Sequence, residues 1–388
     1  GTGCDQLISF ARRMNGLGTS SLIGIGDMTH PSIAALVNGG MAHALNYDAV
    51  GSTHYGILVP APIAAGEAEG GVTGEELIVS IAVAAEISGR INQVAKNLQG
   101  GRSNPFLQGQ LMTFFGSALG TGRVLRLDRD QMHSALGLSL MQASGTRQVL
   151  LSGDPPAKAI YGAFPNQAAI ISAYLAREGL GAKYEIFSGE AGLFQMFFGD
   201  QYDGALLDRN IGQEFVLLDA RFKPWPTSDV PHPYINAAIE LRKQHDLTVT
   251  DISHVRVSGH PYIRPWCEPY SERRLPQNAA SAANSVPFAT SYALAHGDVP
   301  LTAFTASGLQ DHEALQLASQ FECLYTESSV GQGRLEVLTT KGTKLAIQLV
   351  PPPGSQEHPM SQDELVTKFT DCARHSAIAM DDGVINAV

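Results

Sequence analysis

The sequence has few cysteines, few charged residues and no long hydrophobic run. It contains four cysteines in 388 residues, and no two of them have C-x-x-C spacing. Widely spaced cysteines argue against a zinc cluster or a disulfide framework, so we expect a cytoplasmic protein. No apolar run reaches the ~18–20 residues of a membrane span, and no signal-peptide pattern opens the chain. The chain begins Gly-Thr-Gly without a methionine, so we expect a leading segment to be missing.

The chain is acidic overall. A formal net charge of −11 argues against nucleic acid or anionic membranes as partners, because both bind basic surfaces. A small anionic ligand stays possible, since a local group of Lys, Arg and His can oppose the global charge. Phosphate loops, dinucleotide-binding glycine motifs, HExxH and Gly-x-Ser-x-Gly sequences are absent, so we expect neither a cofactor nor a metal.

Helical periodicity dominates the first half of the chain. Apolar residues recur three and four positions apart in Ala- and Gly-rich segments, one of them preceded by Thr73 as a candidate cap. The chain length predicts two or three domains. We predict a mainly α protein with two domains, whose all-helical first part spans residues 1–213. The predicted helices there include residues 31–43, 60–68, 74–87, 114–125, 129–145 and 164–178.

Strand periodicity begins near Phe215. Residues 214–219 and 255–258 alternate like strands, and residues 334–349 predict a hairpin that turns at Lys341-Gly342. Together with helices at 233–244, 279–296 and 312–320, these strands predict a smaller α+β domain over residues 214–354. A Ser-capped helix at 361–379 predicts that residues 355–388 return to the helical domain.

Polar side chains are concentrated in residues 38–56, beside an apolar helix. His43, Asn46, Asp48, Thr53 and His54 all lie in this stretch. Buried polar groups cost free energy when unpaired, so their density favours a functional site. The alternative interpretation is a helix C-terminus whose loop is capped by Asn46 and Asp48.

Lys158 stands just before an apolar helix, with Tyr161 close behind it. A lysine at a helix start opposes the helix dipole, which favours a neutralising anion and hence a carboxylate-binding role. The alternative is an exposed loop lysine. We consider Lys158 a candidate catalytic residue and Tyr161 a candidate substrate contact.

The α+β domain supplies three further candidates. His232 opens a helix followed by Pro233, where the positive helix end should lower its pKa and suit it to act as a neutral base. A capping role is the alternative. Tyr262 and Arg264 follow the strand 255–258, where Tyr262 could donate a proton and Arg264 could hold a carboxylate through two hydrogen bonds.

Taken together, these segments resemble the MmgE/PrpD family, which includes 2-methylcitrate dehydratase, cis-aconitate decarboxylase and iminodisuccinate epimerase. The motifs that carry the resemblance extend over most of the chain. They are Ala42-His-Ala-Leu-Asn-Tyr-Asp48, Thr53-His54, Pro60, Gln142-Ala-Ser-Gly145, Lys158, Lys223-Pro-Trp-Pro and His232-Pro-x-Ile-x-Ala-Ala238.

The resemblance implies a large helical domain built from both ends of the chain, with an α+β lid between them, in a homodimer. It also implies metal-free acid–base chemistry at a carbon next to a carboxylate. Position by position, it assigns site roles to Asp48, His54, Lys158, His232 and Tyr262. We add Asn46, Thr53, Arg264 and Tyr161 as candidate substrate contacts.

The chain departs from the family pattern at four positions. Asn46 and Ala49 replace two acids of the motif that contains Asp48, Phe106 replaces a histidine, and Asp229 replaces an arginine that precedes the lid histidine. These changes remove an acid and a base.

Our leading hypothesis is proton removal from a small di- or tricarboxylate, with Lys158 and Arg264 holding the anion. His54 or His232 would act as the base. The expected outcome is a dehydratase-type lyase. The alternatives are an epimerase or isomerase, which tolerates Asn46, then a decarboxylase, and finally a catalytically silent paralogue that binds a carboxylate.

Overall fold

The computed structural model describes residues 2–14, 18–96, 105–151, 156–199, 202–378 and 380–386. Three parts of the sequence predictions lie outside these ranges: residues 97–101 of the predicted helical region, residues 152–155 before Lys158, and Ala379 at a predicted helix end.

The fold is mainly helical with a small mixed sheet, as the sequence predicts. The helices are α1 Cys4–Arg13, α2 Pro31–Met41, α3 Pro60–Ala68, α4 Gly74–Lys96, α5 Gln108–Val124, α6 Arg129–Gln142, α7 Gln148–Leu151, α8 Pro156–Ala159, α9 Ala163–Arg177, α10 Leu193–Phe198, α11 His232–His245, α12 Arg264–Cys267, α13 Tyr270–Arg273, α14 Ala279–Ala283, α15 Val286–His296, α16 His312–Ser319, α17 Gln362–Arg374 and α18 Asp382–Asn386.

Helices α1 to α9 pack closely because small residues face one another. A Cβ added to Gly39 of α2 would lie 2.6 Å from the carbonyl oxygen of Gly162, just before α9, and a Cβ on Gly162 would lie equally close to the Gly39 carbonyl. Only glycine permits so close an approach of the two backbones. The end of α2, which leads into residues 42–56, is thereby fixed beside the segment that carries Lys158 and Tyr161.

The second half of the chain contains a four-stranded sheet. Its strands are β3 Ile252–Gly259, β4 Phe321–Tyr325, β5 Gly333–Thr339 and β6 Lys344–Gln348, and their order in the sheet is β4-β3-β5-β6. Strand β3 runs parallel to β4 and antiparallel to β5, and β5 and β6 form the predicted hairpin. The sheet and helices α11 to α16 share one hydrophobic core, which includes Ile235, Val257, Phe288 and Val337.

The C-terminal segment contacts the first part of the chain. The backbone N–H of Ala377 donates to the Gly24 carbonyl at 2.9 Å, and Lys368 of α17 donates to the Tyr47 carbonyl at 2.8 Å. Ser361 caps α17 as predicted, and its hydroxyl accepts from the N–H of Glu364 at 3.3 Å. The assignment of residues 355–388 to the helical domain stays a prediction.

Two predicted elements of the second half are wrong. Residues 214–219 contain a 3₁₀ helix, Val216–Asp219, because the segment lies against α4, where the Leu217 N–H donates to Glu86 at 3.0 Å. The predicted helix 279–296 is divided into α14 and α15. Ser285 caps α15, and Pro287 lacks the N–H that a continuous helix would need.

One feature of the first half differs from the all-helical prediction. Short strands β1 Ser20–Ser21 and β2 Met28–Thr29 pair antiparallel there.

Among the described residues, one helix stretch, Gly74–Val94 in α4, is long and apolar enough by composition to cross a membrane. Half of it is buried against the rest of the protein, and it contains the buried ion pair of Glu86 and Arg90 at 2.5 Å, as expected of a core helix.

Candidate active site

The loop after α2, residues 42–56, is held in place from two sides. Val50 and Arg221 exchange backbone hydrogen bonds of 2.7 and 3.0 Å. Asp219 accepts from the Ser52 hydroxyl at 2.5 Å and from the Tyr55 hydroxyl. The turn that begins the loop needs Asn46 in the left-handed region, with φ 53°, which asparagine adopts more readily than most residues. These contacts fix the backbone on both sides of Asp48.

Asp48 lies between two histidines of the same loop. Its Oδ1 is 3.0 Å from Nδ1 of His43, and its Oδ2 is 3.0 Å from Nδ1 of His54. The side chains of His43 and Asp48 are 1% exposed, whereas that of His54 is 29% exposed. His54 is therefore the one of the three side chains that a substrate can reach.

The ionisation of this cluster follows from its burial and charges. Burial disfavours a charged Asp48, but the two imidazoles outweigh it and hold the pKa of this carboxyl well below its usual range. Burial lowers the pKa of His43 to about 4, against the opposing effect of Asp48. Asp48 is thus a carboxylate at neutral pH, and His43 is neutral. A carboxylate only accepts, so His54 donates to Asp48 through Nδ1–H, and Nε2 is its other ring nitrogen, on the side away from Asp48.

Tyr161 and Lys158 complete this side of the site. The Tyr161 ring lies 4.2 Å from the His43 ring and 5.8 Å from the His54 ring, centroid to centroid. Lys158 in α8 is buried, and its positive charge contributes to the lowered pKa of His43, after the larger effect of burial. A Cβ on Gly109 of α5 would lie 2.9 Å from His54 Cδ2, so the α5 backbone forms a wall beside the imidazole.

The second half of the chain brings Lys223, Asp229 and His232 to the same region. Lys223 is buried and lies 3.8 Å from the Asp229 carboxylate. The Asp229 side chain is 51% exposed, and the protein packed around it disfavours its charge, but Lys223 and His232 outweigh that effect, so its pKa is lowered. Partial or full burial raises the pKa of Tyr262 and Tyr161, and the charge of Asp229 adds to both shifts. Asp229 therefore faces residues from both halves of the chain.

His232 is a buried neutral imidazole at the start of α11. Burial lowers its pKa to about 3, with Lys223 acting in the same direction and Asp229 against it. The predicted direction of this shift is confirmed, but burial is its main cause. Its Nε2 lies 3.4 Å from the Thr227 carbonyl oxygen.

Tyr262, Arg264 and Thr53, three of the other predicted site residues, lie in different surroundings. Tyr262 is 53% exposed, and its ring lies 5.5 Å from that of Trp266, at the rim of the site. Arg264 is exposed with its guanidinium over the Tyr325 ring at 4.5 Å, so the structure does not bring it to the His54 cluster. The Thr53 hydroxyl forms a hydrogen bond of 3.2 Å with the Ser88 hydroxyl of α4.

The side-chain amide of Asn46 is buried but not fully hydrogen-bonded. Its Nδ2 is buried and has no hydrogen-bond partner among the described residues. The roles of Asn46, Thr53 and Arg264 in substrate binding stay predictions.

Three residues of the site were not assigned to it from sequence. His43 lies in the polar stretch of residues 38–56, and its position beside Asp48 and His54 is the sequence signal for it. Lys223 belongs to one of the motifs that carry the family resemblance, and Asp229 is one of the departures from the family pattern. Each is identified as part of the site by its contact with, or charge effect on, another site residue.

His43, Asp48 and His54 are also a set that could hold a metal ion. Their ligand atoms lie within 4.8 Å of one another, and imidazole with carboxylate suits several transition metals. Both Nδ1 atoms are, however, engaged with Asp48, so a metal bound there would displace both hydrogen bonds. The absence of a metal stays a prediction.

Two family models cover most of the chain. The MmgE/PrpD N-terminal domain matches residues 2–204, and the MmgE/PrpD C-terminal domain matches residues 225–385. The resemblance inferred from the sequence motifs is thereby confirmed. Among curated proteins, none matches the sequence.

The two buried histidines predict a loss of stability in mild acid. His43 and His232 keep pKa values of about 4 and about 3, below the ordinary 6.5, so the unfolded chain binds their protons first as the pH falls. Above pH 7 both are neutral in either state. Between pH 6.5 and 4 the free energy of unfolding should fall by up to about 1.4 kcal/mol per pH unit for each histidine.

Urea unfolding at pH 7.5, 6 and 5 measures this slope. His43→Asn and His232→Asn should each flatten it, whereas His245→Asn, which changes an exposed histidine of α11, should not. An equal slope in all variants would contradict the assignment.

Proposed function

The chain belongs to the MmgE/PrpD family, and we propose that it is an acid–base enzyme acting on a small di- or tricarboxylate. The reaction begins with removal of a proton from the carbon next to a carboxylate. The observation that carries this proposal is the contact of His54 with the buried, ionised Asp48 at 3.0 Å. We propose that side chains alone move the proton.

His54 is the proposed base. Its Nε2 lone pair is on the partly exposed side of the ring, because Nδ1–H points to Asp48. Once the proton is taken, the imidazolium is paired with the Asp48 carboxylate, which stabilises it. General base catalysis of this kind contributes about 10²–10⁴-fold to a rate.

Lys158 is the proposed anion-binding residue. It is buried beside His43, where a cation suits a substrate carboxylate and the negative charge that develops on it when the proton leaves. Lys223 adds a second buried cation on the lid side, partly neutralised by Asp229 at 3.8 Å. Tyr161, whose ring lies 5.8 Å from that of His54, is a proposed substrate contact.

A dehydratase-type lyase is the proposed outcome. After proton removal, His232 or Tyr262 would return a proton or protonate the leaving hydroxyl. A second candidate is an epimerase or isomerase. It is favoured by Asn46, because a buried amide in the position of a family acid cannot protonate a leaving group. Decarboxylation ranks third.

The four free cysteines support the proposal of a reducing, cytoplasmic location.

A homodimer is the proposed assembly. Helix α9 leaves Phe164, Ile171 and Leu175 between 39% and 53% exposed, and Met141 at the end of α6 is 75% exposed. Exposed apolar side chains on neighbouring helices favour a protein partner, which we take to be a second copy of the chain.

Light scattering coupled to gel filtration tests the dimer. We expect twice the chain mass of 41.3 kDa for the wild type and a shift toward the single mass for Phe164→Glu combined with Ile171→Glu. Val330→Glu changes an exposed apolar residue elsewhere and should leave the mass unchanged. A wild-type protein of single-chain mass at micromolar concentration would contradict the proposal.

Proton exchange tests the reaction. In deuterated water, NMR of citrate-like and succinate-like acids should show deuterium entering next to a carboxylate, with EDTA-treated protein equally active. Exchange with loss of water supports the lyase, and exchange without net conversion supports the epimerase. His54→Asn should slow exchange by about 10²–10⁴-fold, while His245→Asn should not slow it. No exchange with any acid would contradict both enzymes and favour the silent carboxylate-binding paralogue.

Lys158→Met tests the anion-binding role. It keeps most of the side-chain volume and removes the charge, so we expect the Michaelis constant to rise or kcat to fall by about 10²-fold or more. Steady-state kinetics on the acid identified by exchange measures both. Lys183→Met, which removes an exposed lysine paired with Asp130, is the matched control. Wild-type kinetics from the Lys158 variant would remove this residue from the site.

A further inference from the structure

Lys368 of helix α17 contacts the backbone of the candidate site. Its Nζ donates to the Tyr47 carbonyl and to the Lys223 carbonyl, each at 2.8 Å. It also lies 3.8 Å from the centroid of the Tyr47 ring. A single ammonium group thus joins the loop after α2, the segment that begins the lid, and a helix close to the end of the chain.

The contacts of Lys223 complement those of Lys368. Lys223 Nζ donates to the Asn46 carbonyl at 2.8 Å, and the Tyr47 hydroxyl donates to the Pro224 carbonyl at 3.1 Å. We call this set of Asn46, Tyr47, Lys223, Pro224 and Lys368 the carbonyl clasp. Two lysine side chains and one phenol satisfy four backbone carbonyls, so the two loops are tied together through main-chain oxygens.

The carbonyl clasp acts on the backbone that carries Asp48. The Tyr47 carbonyl belongs to the peptide group that directly precedes Asp48, and Asn46 next to it holds the left-handed φ of 53°. Residues in sparsely populated conformations persist only where their surroundings hold them.

The environment of Lys368 agrees with a positioning role. Its ammonium is partly buried, and burial lowers its pKa to about 8, with the charge of Lys223 acting in the same direction and those of Cys372 and Asp48 against it. Two of its three N–H groups donate to backbone carbonyls, and the ammonium lies 3.8 Å from the centroid of the Tyr47 ring, so its observed contacts are with the protein itself.

We propose that Lys368 is a positioning residue for catalysis, which fixes the Tyr47 carbonyl so that Asp48 stays between His43 and His54. Helix α17 is then a component of the proposed active site, although it supplies no catalytic group. This inference rests on the proposed function for its kinetic test, but its structural test does not need activity.

The structural test is NMR of the imidazole Nδ1–H protons of His43 and His54, which donate to Asp48. In the wild type these protons should be protected from exchange with water and shifted downfield. Lys368→Met keeps the side-chain length but removes all three donors. We expect it to weaken or remove the His54 signal, while Lys368→Arg, which retains donors and charge, should keep it.

The kinetic test separates positioning from substrate binding. Lys368→Met should lower kcat by about 10- to 100-fold, as expected for a small displacement of the base. Its Michaelis constant should stay within about threefold, since Lys158 still holds the anion. Lys368→Arg should recover most of the rate, and Lys183→Met should behave as wild type.

The outcomes distinguish this proposal from the proposed function. A Lys368→Met protein with wild-type imidazole signals and wild-type kcat would overturn the inference, and so would one that only melts at a lower temperature. Loss of the His54 signal in a chain that turns over no acid would support the positioning role and contradict the proposed function alone. If Lys368→Met does not fold, Lys368→Gln, which is shorter, neutral and retains one donor group, should give intermediate values: a His54 signal weaker than that of the wild type and a lower kcat. A wild-type signal together with a wild-type kcat from Lys368→Gln would overturn the inference.

Discussion

A buried carboxylate between two imidazoles is the interaction on which the candidate site depends. Asp48 is charged although it is almost inaccessible to water, and such a charge is tolerated only when hydrogen bonds satisfy it. The two histidines provide those bonds, and they differ in exposure. The inner one, His43, completes the solvation of the carboxylate, and the outer one, His54, is partly exposed. One loop therefore contains both the proposed base and the carboxylate that orients it.

The rest of the molecule holds this loop at a fixed position. Close contact of glycines brings α2 against the start of α9, so that Tyr161 and Lys158 lie beside the histidines. Residues from after the helical part, including Asp219 and Lys223, bind the same loop from the other side. The site is thus shared between distant segments, and its geometry depends on their packing more than on any one element.

Much of the fold and part of the site could be predicted from sequence. Helices and the β5–β6 hairpin were predictable because apolar spacing and turn residues are local signals. Residues 214–219 were misassigned because a short apolar run has no distinctive period, and packing against α4 decided its form. His54, Asp48 and Lys158 were found by motif. The pairing of His43 with Asp48, the approach of Asp229 and the contact of Lys368 depend on tertiary placement, which spacing along the chain does not encode.

The left-handed conformation of Asn46 has a consequence for how this site can diverge. A backbone with φ near 53° is occupied at low cost by glycine, asparagine or aspartate, and asparagine and aspartate have nearly the same shape. Exchange of one for the other changes the charge beside Asp48 by one unit without requiring the loop to move. A single substitution at this position can therefore alter which reactions the site supports while its architecture stays intact, so relatives with the same fold need not share a substrate.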